Sequence, residues 1–318
     1  TRNPARNDGQ TPRGDEVSAG FRHACSGRIG LAAGRTRRFP AVFVFGKRKL
    51  QQEDTFPINE VHDMDREDIV LQEMEKRPGE RVFSFLLGGR RIWVKRAEHV
   101  YHEAWLRFAR RACLVLGLGI LQPGADPNGV RAVRFEAGRL QRLARCGMPV
   151  PEVFAKGTDW VALFDCGKPL SNVVRDAPEM EREAALTQAA EGLAALHAHG
   201  LHHGRPALKD MMWDGERTWL LDFEDGVIIG LLRRKRLARD VLLFLQSIMK
   251  EAGKDGPALA RLAFDSYRRK APESARFACS YFGSMGGIFL FLRVFLRHTG
   301  SDLLSIYEAL RLLREERK

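Results

Sequence analysis

The chain has 318 residues, of which 44% are hydrophobic, and its formal net charge at pH 7 is +12. This hydrophobic content is enough to build a core, so the composition excludes a chain that is disordered throughout. The excess of positive charge favours anionic partners, namely nucleotides, nucleic acid or an acidic membrane surface. Charge alone does not choose among these three classes.

Five cysteines are spread along the chain, and no two of them form a CxxC pair. Their odd number and wide spacing argue against a disulfide framework or a zinc site, and they fit a reducing cytosol. No uncharged run reaches the ~20 apolar residues that a membrane-spanning helix needs, and no secretory signal is recognisable. We therefore expect a cytoplasmic protein.

The first 63 residues differ from the rest, because they are rich in Gly, Arg, Asn, Asp and Pro and show no sustained periodicity. Such a segment buries too little apolar surface to offset the entropy of ordering it. The first methionine is Met64, and patterned sequence follows it directly. Two interpretations of residues 1–63 stay open: a genuine disordered extension, or a spurious stretch from an over-extended reading frame.

Patterned sequence after Met64 predicts a small sheet that is followed by helices, with a hairpin turn at the Gly88–Gly89 pair. The predicted strands are Asp68–Glu73, Arg81–Leu87, Arg91–Lys95, Glu152–Lys156 and Trp160–Phe164. The predicted helices are Tyr101–Leu118, Val130–Cys146, Pro178–Gly200, Arg236–Glu251 and Pro257–Arg269, with two more before the C-terminus. This order predicts a two-lobed α+β fold, with a small antiparallel sheet lobe (64–167) and a mainly helical lobe (168–318).

Two charged side chains in the first lobe are candidates for an ion pair. Lys95 ends the apolar strand Ile92–Lys95, where it can point into a cleft, and Glu136 shares the apolar face of a helix with Leu140. A carboxylate on a buried face needs a partner, and Lys95 is a suitable one. Each residue alone is also compatible with a surface position, Lys95 at a strand end and Glu136 beside Arg139.

The stretch from Leu196 to Asp225 is the richest in chemically active side chains. Asp210 and Asp222 stand at opposite ends of a predicted hairpin whose turn contains Asp214. Close packing of the two strands would bring both carboxylates within reach of a shared hard cation. Both aspartates are equally compatible with caps on a solvated hairpin.

This stretch resembles the catalytic and metal-binding loops of the protein-kinase-like superfamily, and within it the bacterial lipopolysaccharide (Kdo/heptose) kinase family. The resemblance covers Arg81 to Met249 and includes an Arg239–Asp240 pair in an apolar helix. It implies a phosphotransferase that uses ATP and Mg²⁺ and acts on a sugar or envelope glycolipid. The resemblance implies that Lys95 binds phosphate with Glu136 as its partner, and that Asp210 and Asp222 bind the metal. It implies that the hinge Ala162–Gly167, with Asp165 and Cys166, contacts adenine. It also implies that His203 and Asp240 support the structure of the site.

Three departures from the family pattern accompany the resemblance. Arg205 stands where the catalytic aspartate is expected, and a guanidinium cannot accept a proton at neutral pH. No G-x-G-x-x-G precedes Lys95, where only the Gly88–Gly89 pair is nearby. Asp-Phe-Glu (222–224) replaces Asp-Phe-Gly, which makes that loop less permissive in φ.

Arg205 leaves two interpretations open. In an active enzyme, Arg205 is itself a catalytic residue that stabilises charge on the transferred phosphate or holds an anionic substrate, and Asp210 or Asp214 supplies the carboxylate. In a pseudokinase, the nucleotide has at most a structural role. A serine/threonine protein kinase is a further alternative, which the lack of a recognisable activation segment between Asp222 and Asp240 disfavours.

Arginines flank bulky apolar runs in Trp105–Leu121 and Gly287–Arg297, and Arg233–Arg236 is a cluster of four positive charges. Such segments can dock on the anionic inner-membrane surface, but they are also typical of core helices with solvated arginines, which we favour. The expected partners are ATP and an anionic acceptor such as the lipopolysaccharide core, while a peripheral contact with the inner membrane stays open as an alternative. Scattered basic residues without a recognised module disfavour nucleic acid.

Overall fold

The Gly88–Gly89 pair forms the turn of a β-hairpin, as predicted. In the computed structural model of the chain, which describes residues 55–56, 65–97, 111, 129–223, 231–285 and 301–317, both glycines have positive φ angles, 56° and 77°. Such angles suit a two-residue turn whose twist matches that of the flanking strands. Pairing across the hairpin runs from Leu87 opposite Arg90 to Val82 opposite Lys95.

This hairpin belongs to a five-stranded sheet with the strand order β1-β2-β3-β5-β4. The predicted strands that are present pair antiparallel, as expected, and the two-residue strand β1, which was not predicted, pairs parallel with β2. The strands are β1 Thr55–Phe56, β2 Val82–Leu87, β3 Arg90–Arg96, β4 Val153–Lys156 and β5 Trp160–Phe164.

The predicted strand Asp68–Glu73 is wrong, because these residues lie in helix α1, Arg66–Lys76. Ile69 and Val70 are buried against the sheet, whereas the next residue, Leu71, is largely exposed. A short apolar run of this kind fits a strand or a helix equally well in sequence, and packing against the sheet decides between them.

Seven further helices are described, and each predicted helix that falls within the described residues is present. Helix α2 packs on β4 and β5, α4 packs on α6, and α5 packs on α7 and α8. Helix α5 begins at Arg233, three residues before its predicted start. The helices are α2 Val130–Arg145, α3 Leu170–Asp176, α4 Glu179–Ala198, α5 Arg233–Glu251, α6 Gly256–Lys270, α7 Pro272–Gly283 and α8 Ser301–Glu315.

A second, three-stranded sheet has the order β6-β7-β8 and contains the predicted hairpin. Its strands are β6 Lys168–Pro169, β7 Met211–Trp213 and β8 Thr218–Leu220, all antiparallel to their neighbours. Only residues 165–167 separate β5 of the first sheet from β6 of the second. The chain is thus an α+β protein with two small sheets, and its described residues belong to one contact unit, Leu50–Lys318.

Several predictions concern residues that the structure does not describe. They include the N-terminal segment 1–63 apart from residues 55 and 56, the helix Tyr101–Leu118 apart from Arg111, and the basic apolar segments Trp105–Leu121 (again apart from Arg111) and Gly287–Arg297. None of the helices in the described ranges is both long and apolar enough to cross a bilayer.

The cysteines depart from expectation at one position. Cys146 is disulfide-bonded, although the spacing of the cysteines argued against a disulfide framework. Cys166 and Cys279 carry free thiols.

Candidate functional site

Lys95 reaches a cleft because side chains alternate along β3. Ile92 and Val94 are fully buried in the core, so Trp93 and Lys95 share the opposite face of the strand. Both line a cleft of about 730 Å³ between the five-stranded sheet and the β7–β8 hairpin. This cleft, called the Lys95 cleft below, also contains the hairpin residues Asp210 and Asp222.

The Lys95 ammonium group joins two carboxylates from different parts of the fold. Its Nζ atom lies 3.1 Å from Oε2 of Glu136 and 3.2 Å from Oδ1 of Asp222. Glu136 is 2% exposed on the inner face of α2. Because a buried carboxylate is costly without a counter-charge, the contact with Lys95 stabilises Glu136 where it is. The structure therefore brings together three of the residues predicted for this site.

Asp222 has a φ angle of +58°, and no other described non-glycine residue has a positive φ. Aspartate tolerates this left-handed conformation better than most residues, and strained backbone of this kind concentrates at functional sites. The next residue, Phe223, is fully buried and stacks on the ring of His203, with ring centroids 4.4 Å apart. Asp222 thus faces the cleft while Phe223 anchors the chain in the core beneath it.

The charges around Asp222 keep its carboxylate ionised. Burial alone would raise the pKa of Asp222, but Lys95 and Arg205 outweigh that effect through charge and hydrogen bonding, so the pKa is lower than usual. Asp222 accordingly carries its negative charge at neutral pH.

Arg205 lies between the two aspartates that were predicted to bind metal. Its Nη2 atom is 2.9 Å from Oδ2 of Asp222 and 3.6 Å from Oδ2 of Asp210. Asp210 ends a short 3-10 helix, Leu208–Asp210, and precedes β7. Both carboxylates therefore meet at one guanidinium nitrogen. Within the described ranges, no three His, Cys, Asp or Glu side chains form a group that could hold a metal ion.

The loop that carries Arg205, residues 201–207, is held from beneath by α5. The Asp240 carboxylate accepts hydrogen bonds from the backbone N–H groups of His203 (2.5 Å) and Gly204 (3.0 Å). Arg239 donates to the carbonyl of Gly204. Burial would raise the pKa of Asp240, but hydrogen bonding to His197 and the surrounding histidine charges hold it at about 2. A buried, ionised carboxylate thus fixes the backbone beside Arg205.

Three further contacts in and around this loop were not predicted from the sequence, and that of Arg139 is made to the loop itself. His197 Nδ1 lies 2.7 Å from the Tyr267 hydroxyl, Ser247 Oγ accepts the N–H of Leu208 at 2.9 Å, and Arg139 donates to the carbonyl of His202. For His197 a signal existed, because it follows the buried Leu193 by one helical turn on α4. The other contacts join segments that are distant in sequence.

The predicted hinge closes one side of the cleft. Asp165 accepts a hydrogen bond from Nε1 of Trp93 at 2.8 Å, and its backbone N–H donates to the carbonyl of Arg91 at 3.0 Å. Burial, together with the charges of Asp165 and Asp214, raises the pKa of the Cys166 thiol to about 12. Cys166 therefore lines the cleft as a neutral thiol.

Asp214, one of the two carboxylates considered as a replacement base, does not line the cleft. It lies in the β7–β8 turn, where it accepts the backbone N–H groups of Glu216 and Arg217 and the indole N–H of Trp219. The sequence interpretation also missed several residues that line the cleft, among them Trp93, Arg81 and Lys209. Trp93 was detectable, since it lies two residues before Lys95 on the same strand face.

No protein-family model matches the chain. The chain is 23% identical over 258 residues to an uncharacterized protein of Haemophilus influenzae, a match that covers 80% of this chain and 98% of that protein. Because the match covers 80% of this chain, it includes the segment from Lys95 to Asp240 wherever along the chain it begins. The similarity therefore extends across the cleft, although the relative's name states no activity.

Proposed function

We propose that the Lys95 cleft binds ATP and that the chain is a phosphotransferase with a two-lobed protein-kinase-like fold, acting on a hydroxyl group of a sugar or envelope glycolipid. The observation that carries this proposal is the position of Lys95 Nζ between Glu136 and Asp222. Phosphoryl transfer depends mainly on positioned positive charge, and this ammonium group is held by two carboxylates within a cleft.

The cleft offers different surfaces to the two ends of a nucleotide. Val82, Leu163 and Met212 line it with apolar groups on which a purine ring can pack. Lys95 and Arg205 line the same cleft, where their positive charges attract phosphate oxygens. The presence of apolar and cationic groups in one cleft supports binding of a base together with a phosphate chain.

The transfer step needs an acceptor for one proton. The hydroxyl oxygen of the acceptor attacks the γ-phosphorus, the bond from that phosphorus to its bridging oxygen breaks, and ADP leaves. Arg205 stands in the position of the usual base and cannot take the proton, whereas Asp210 lies beside Arg205 within the cleft. We assign proton acceptance to Asp210 and charge stabilisation to Lys95 and Arg205.

A second pocket supports an anionic acceptor. It has a volume of about 530 Å³, and three arginines, Arg233, Arg234 and Arg276, line it together with one acidic residue, Glu273. His197 also lines this pocket and contacts Asp240, which holds the Arg205 loop. Its positive charge suits phosphate or carboxylate groups of a sugar acceptor.

Transfer of labelled γ-phosphate from ATP to purified lipopolysaccharide core oligosaccharide tests the proposal. We expect transfer by the wild type, none above background for Asp222→Ala, and an unchanged rate for Arg217→Ala, which removes a charge outside the cleft. Arg276→Ala should raise the KM for the acceptor several-fold without changing the KM for ATP. Equal product from the wild type and Asp222→Ala would count against the proposed enzyme.

A nucleotide-binding protein without transfer activity is the second candidate, because Arg205 occupies the position of the base. ATP binding measured by calorimetry, in the absence of any transfer or hydrolysis, would favour this candidate. The serine/threonine protein kinase alternative depends on the segment between Asp222 and Asp240, of which residues 224–230 lie outside the described part of the chain.

A further inference from the structure

The two aspartates that resemble metal ligands already share a cation, the guanidinium group of Arg205. Oδ2 of Asp222 lies 2.9 Å from Nη2 of Arg205, and Oδ1 of the same carboxylate lies 3.2 Å from Lys95 Nζ. Each oxygen of Asp222 therefore faces a positive group of the chain itself. Oδ2 of Asp210 is 3.6 Å from the same Arg205 nitrogen.

This arrangement does not fit Mg²⁺. The ion requires oxygen ligands at about 2.0–2.1 Å in near-octahedral geometry. An ion at that distance from Oδ2 of Asp222 would lie in close contact with the guanidinium group that occupies the same oxygen. The two positive charges would repel each other and compete for the same lone pairs. Such an ion would therefore have to share these oxygens with Arg205 or displace it from them.

The backbone next to Arg205 is fixed, which limits how far the guanidinium group can move from the aspartates. The preceding residue, Gly204, donates its N–H to Asp240 and accepts a hydrogen bond from Arg239 through its carbonyl. Both partners are buried on α5. A cation tethered in this way has a high effective concentration at the site compared with a free ion in solution.

The formal charge of the Lys95 cleft is balanced without an ion. Four basic side chains and four carboxylates line it, so the described residues supply no excess negative charge for a metal to neutralise. The basic residues are Arg81, Lys95, Arg205 and Lys209, and the carboxylates belong to Glu136, Asp165, Asp210 and Asp222.

We propose that the Arg205 guanidinium replaces the divalent cation of this cleft, so that a nucleoside triphosphate binds here without a metal ion. The inference rests on the proposed function for its ligand. A guanidinium group presents paired N–H donors that match phosphate oxygens, and the Arg205 side chain is 44% exposed, so a phosphate chain can reach it. Lys95, which contacts the other oxygen of Asp222, supplies the second positive charge.

Calorimetric titration of ATP tests this inference, first in excess EDTA and then in excess MgCl₂. We expect wild-type Kd values that agree within about threefold in the two conditions. Arg205→Ala should weaken binding in EDTA about tenfold or more and make binding depend on Mg²⁺, because it removes the guanidinium group from Asp210 and Asp222. Arg205→Lys keeps the charge but loses the paired donors, so its affinity in EDTA should be intermediate. Arg217→Ala, a control of equal charge outside the cleft, should behave as the wild type.

A direct measurement of metal binding removes the contribution of metal bound to ATP. Free Mn²⁺ is followed by its electron paramagnetic resonance signal in protein without nucleotide, after circular dichroism has shown that each variant is folded. The signal should not fall when wild-type protein is added, whereas it should fall for Arg205→Ala. Mn²⁺ binding by the wild type that Asp222→Ala abolishes would contradict the inference.

The outcomes separate this inference from the proposed function. Wild-type affinity for ATP that rises tenfold or more with Mg²⁺ would overturn the inference and leave the phosphotransferase proposal standing. ATP binding of equal strength in EDTA, without transfer to any sugar, would support the inference and count against the phosphotransferase. Absence of ATP binding in both conditions would overturn both.

Discussion

Nε2 of His197 lies 3.2 Å from Oδ2 of Asp240, and both side chains are almost completely buried. The same aspartate oxygen accepts the backbone N–H of His203, so α4, α5 and the Arg205 loop meet at one atom. A buried carboxylate with several donors is stable only while each of them stays in place. The loop is therefore held by an interior charge that has no direct part in binding a ligand.

Replacement of Asp240 by Asn should loosen the Arg205 loop. The amide removes the negative charge and one of the two acceptor oxygens, so at least one buried donor loses its partner. We expect the free energy of unfolding to fall by about 2 to 4 kcal/mol, and the affinity for ATP to fall with it. Ser247→Ala, which removes one hydrogen bond to Leu208, should cost about 1 kcal/mol. Equal stability of Asp240→Asn and the wild type in urea unfolding would contradict this account.

Replacement of Glu136 by Ala should weaken nucleotide binding, because Lys95 loses one of the two carboxylates that orient it. We expect the Kd for ATP to rise about tenfold, which corresponds to about 1.4 kcal/mol. Glu152→Ala is the control, since it removes an exposed carboxylate whose nearest cation, Arg90, lies 3.8 Å away. Unchanged ATP affinity in Glu136→Ala would show that the ion pair is irrelevant to the ligand.

The stability of the protein should decrease as the pH falls from about 7 to about 5. Burial lowers the pKa of His203 to about 4 against the opposing charge of Asp240, whereas the unfolded value is near 6.5. Between these values the unfolded chain binds a proton that the folded protein does not, so unfolding becomes easier as the pH falls. We expect a loss of about 2 kcal/mol from this residue.

His203→Phe tests the assignment of that pH dependence, because phenylalanine keeps a ring against Phe223 but does not titrate. Urea unfolding at both pH values should show a smaller loss in the variant, by about 2 kcal/mol. Asp240 does not interfere in this range, since its lowered pKa affects stability only at more acidic pH. A pH dependence as large in His203→Phe as in the wild type would refute the assignment.

Gly167→Ala should lower the stability of the protein more than the matched substitution Gly215→Ala in the β7–β8 turn. Gly167 has a φ of +99°, and a Cβ atom there would lie 2.1 Å from the carbonyl oxygen of Trp213. Gly215 has a similar φ of +104°, but a Cβ atom there would meet nothing within 4 Å. We expect about 1 kcal/mol for Gly215→Ala from backbone strain alone and about 2 to 4 kcal/mol for Gly167→Ala. Equal midpoints in thermal unfolding would contradict the steric argument.

The sequence correctly predicted the helices and strands for which turn residues and apolar periodicity agree with the packing in the fold. The hairpin at Gly88–Gly89 and the helix around Leu193 follow from a turn signal and a regular apolar face. The contact of Lys95 with Glu136 was predictable, since a strand alternation and a helix face each pointed one charge inward. The prediction failed at Asp68–Glu73, where the apolar run is too short to show whether its periodicity is that of a helix or of a strand.

The remaining features depend on contacts between distant segments. The supports of the Arg205 loop come from α5 and α2, and the parallel strand β1 pairs with residues about thirty positions later. The direction of the Arg205 side chain is not encoded locally either, because a long flexible arginine follows whichever carboxylates the fold presents. Its place between Asp210 and Asp222 therefore became visible only in three dimensions.

The Trp93–Asp165 hydrogen bond restricts the motion of residues 165–167, the segment that connects the two sheets. It joins this segment to a side chain of β3, and the Asp165 N–H also binds the carbonyl of Arg91. Gly167 packs on Trp213 at the other end of this segment, so the segment has little conformational freedom in the folded protein. A ligand then binds to a Lys95 cleft whose shape is already fixed, and most of the entropic cost of ordering this segment arises during folding rather than on binding.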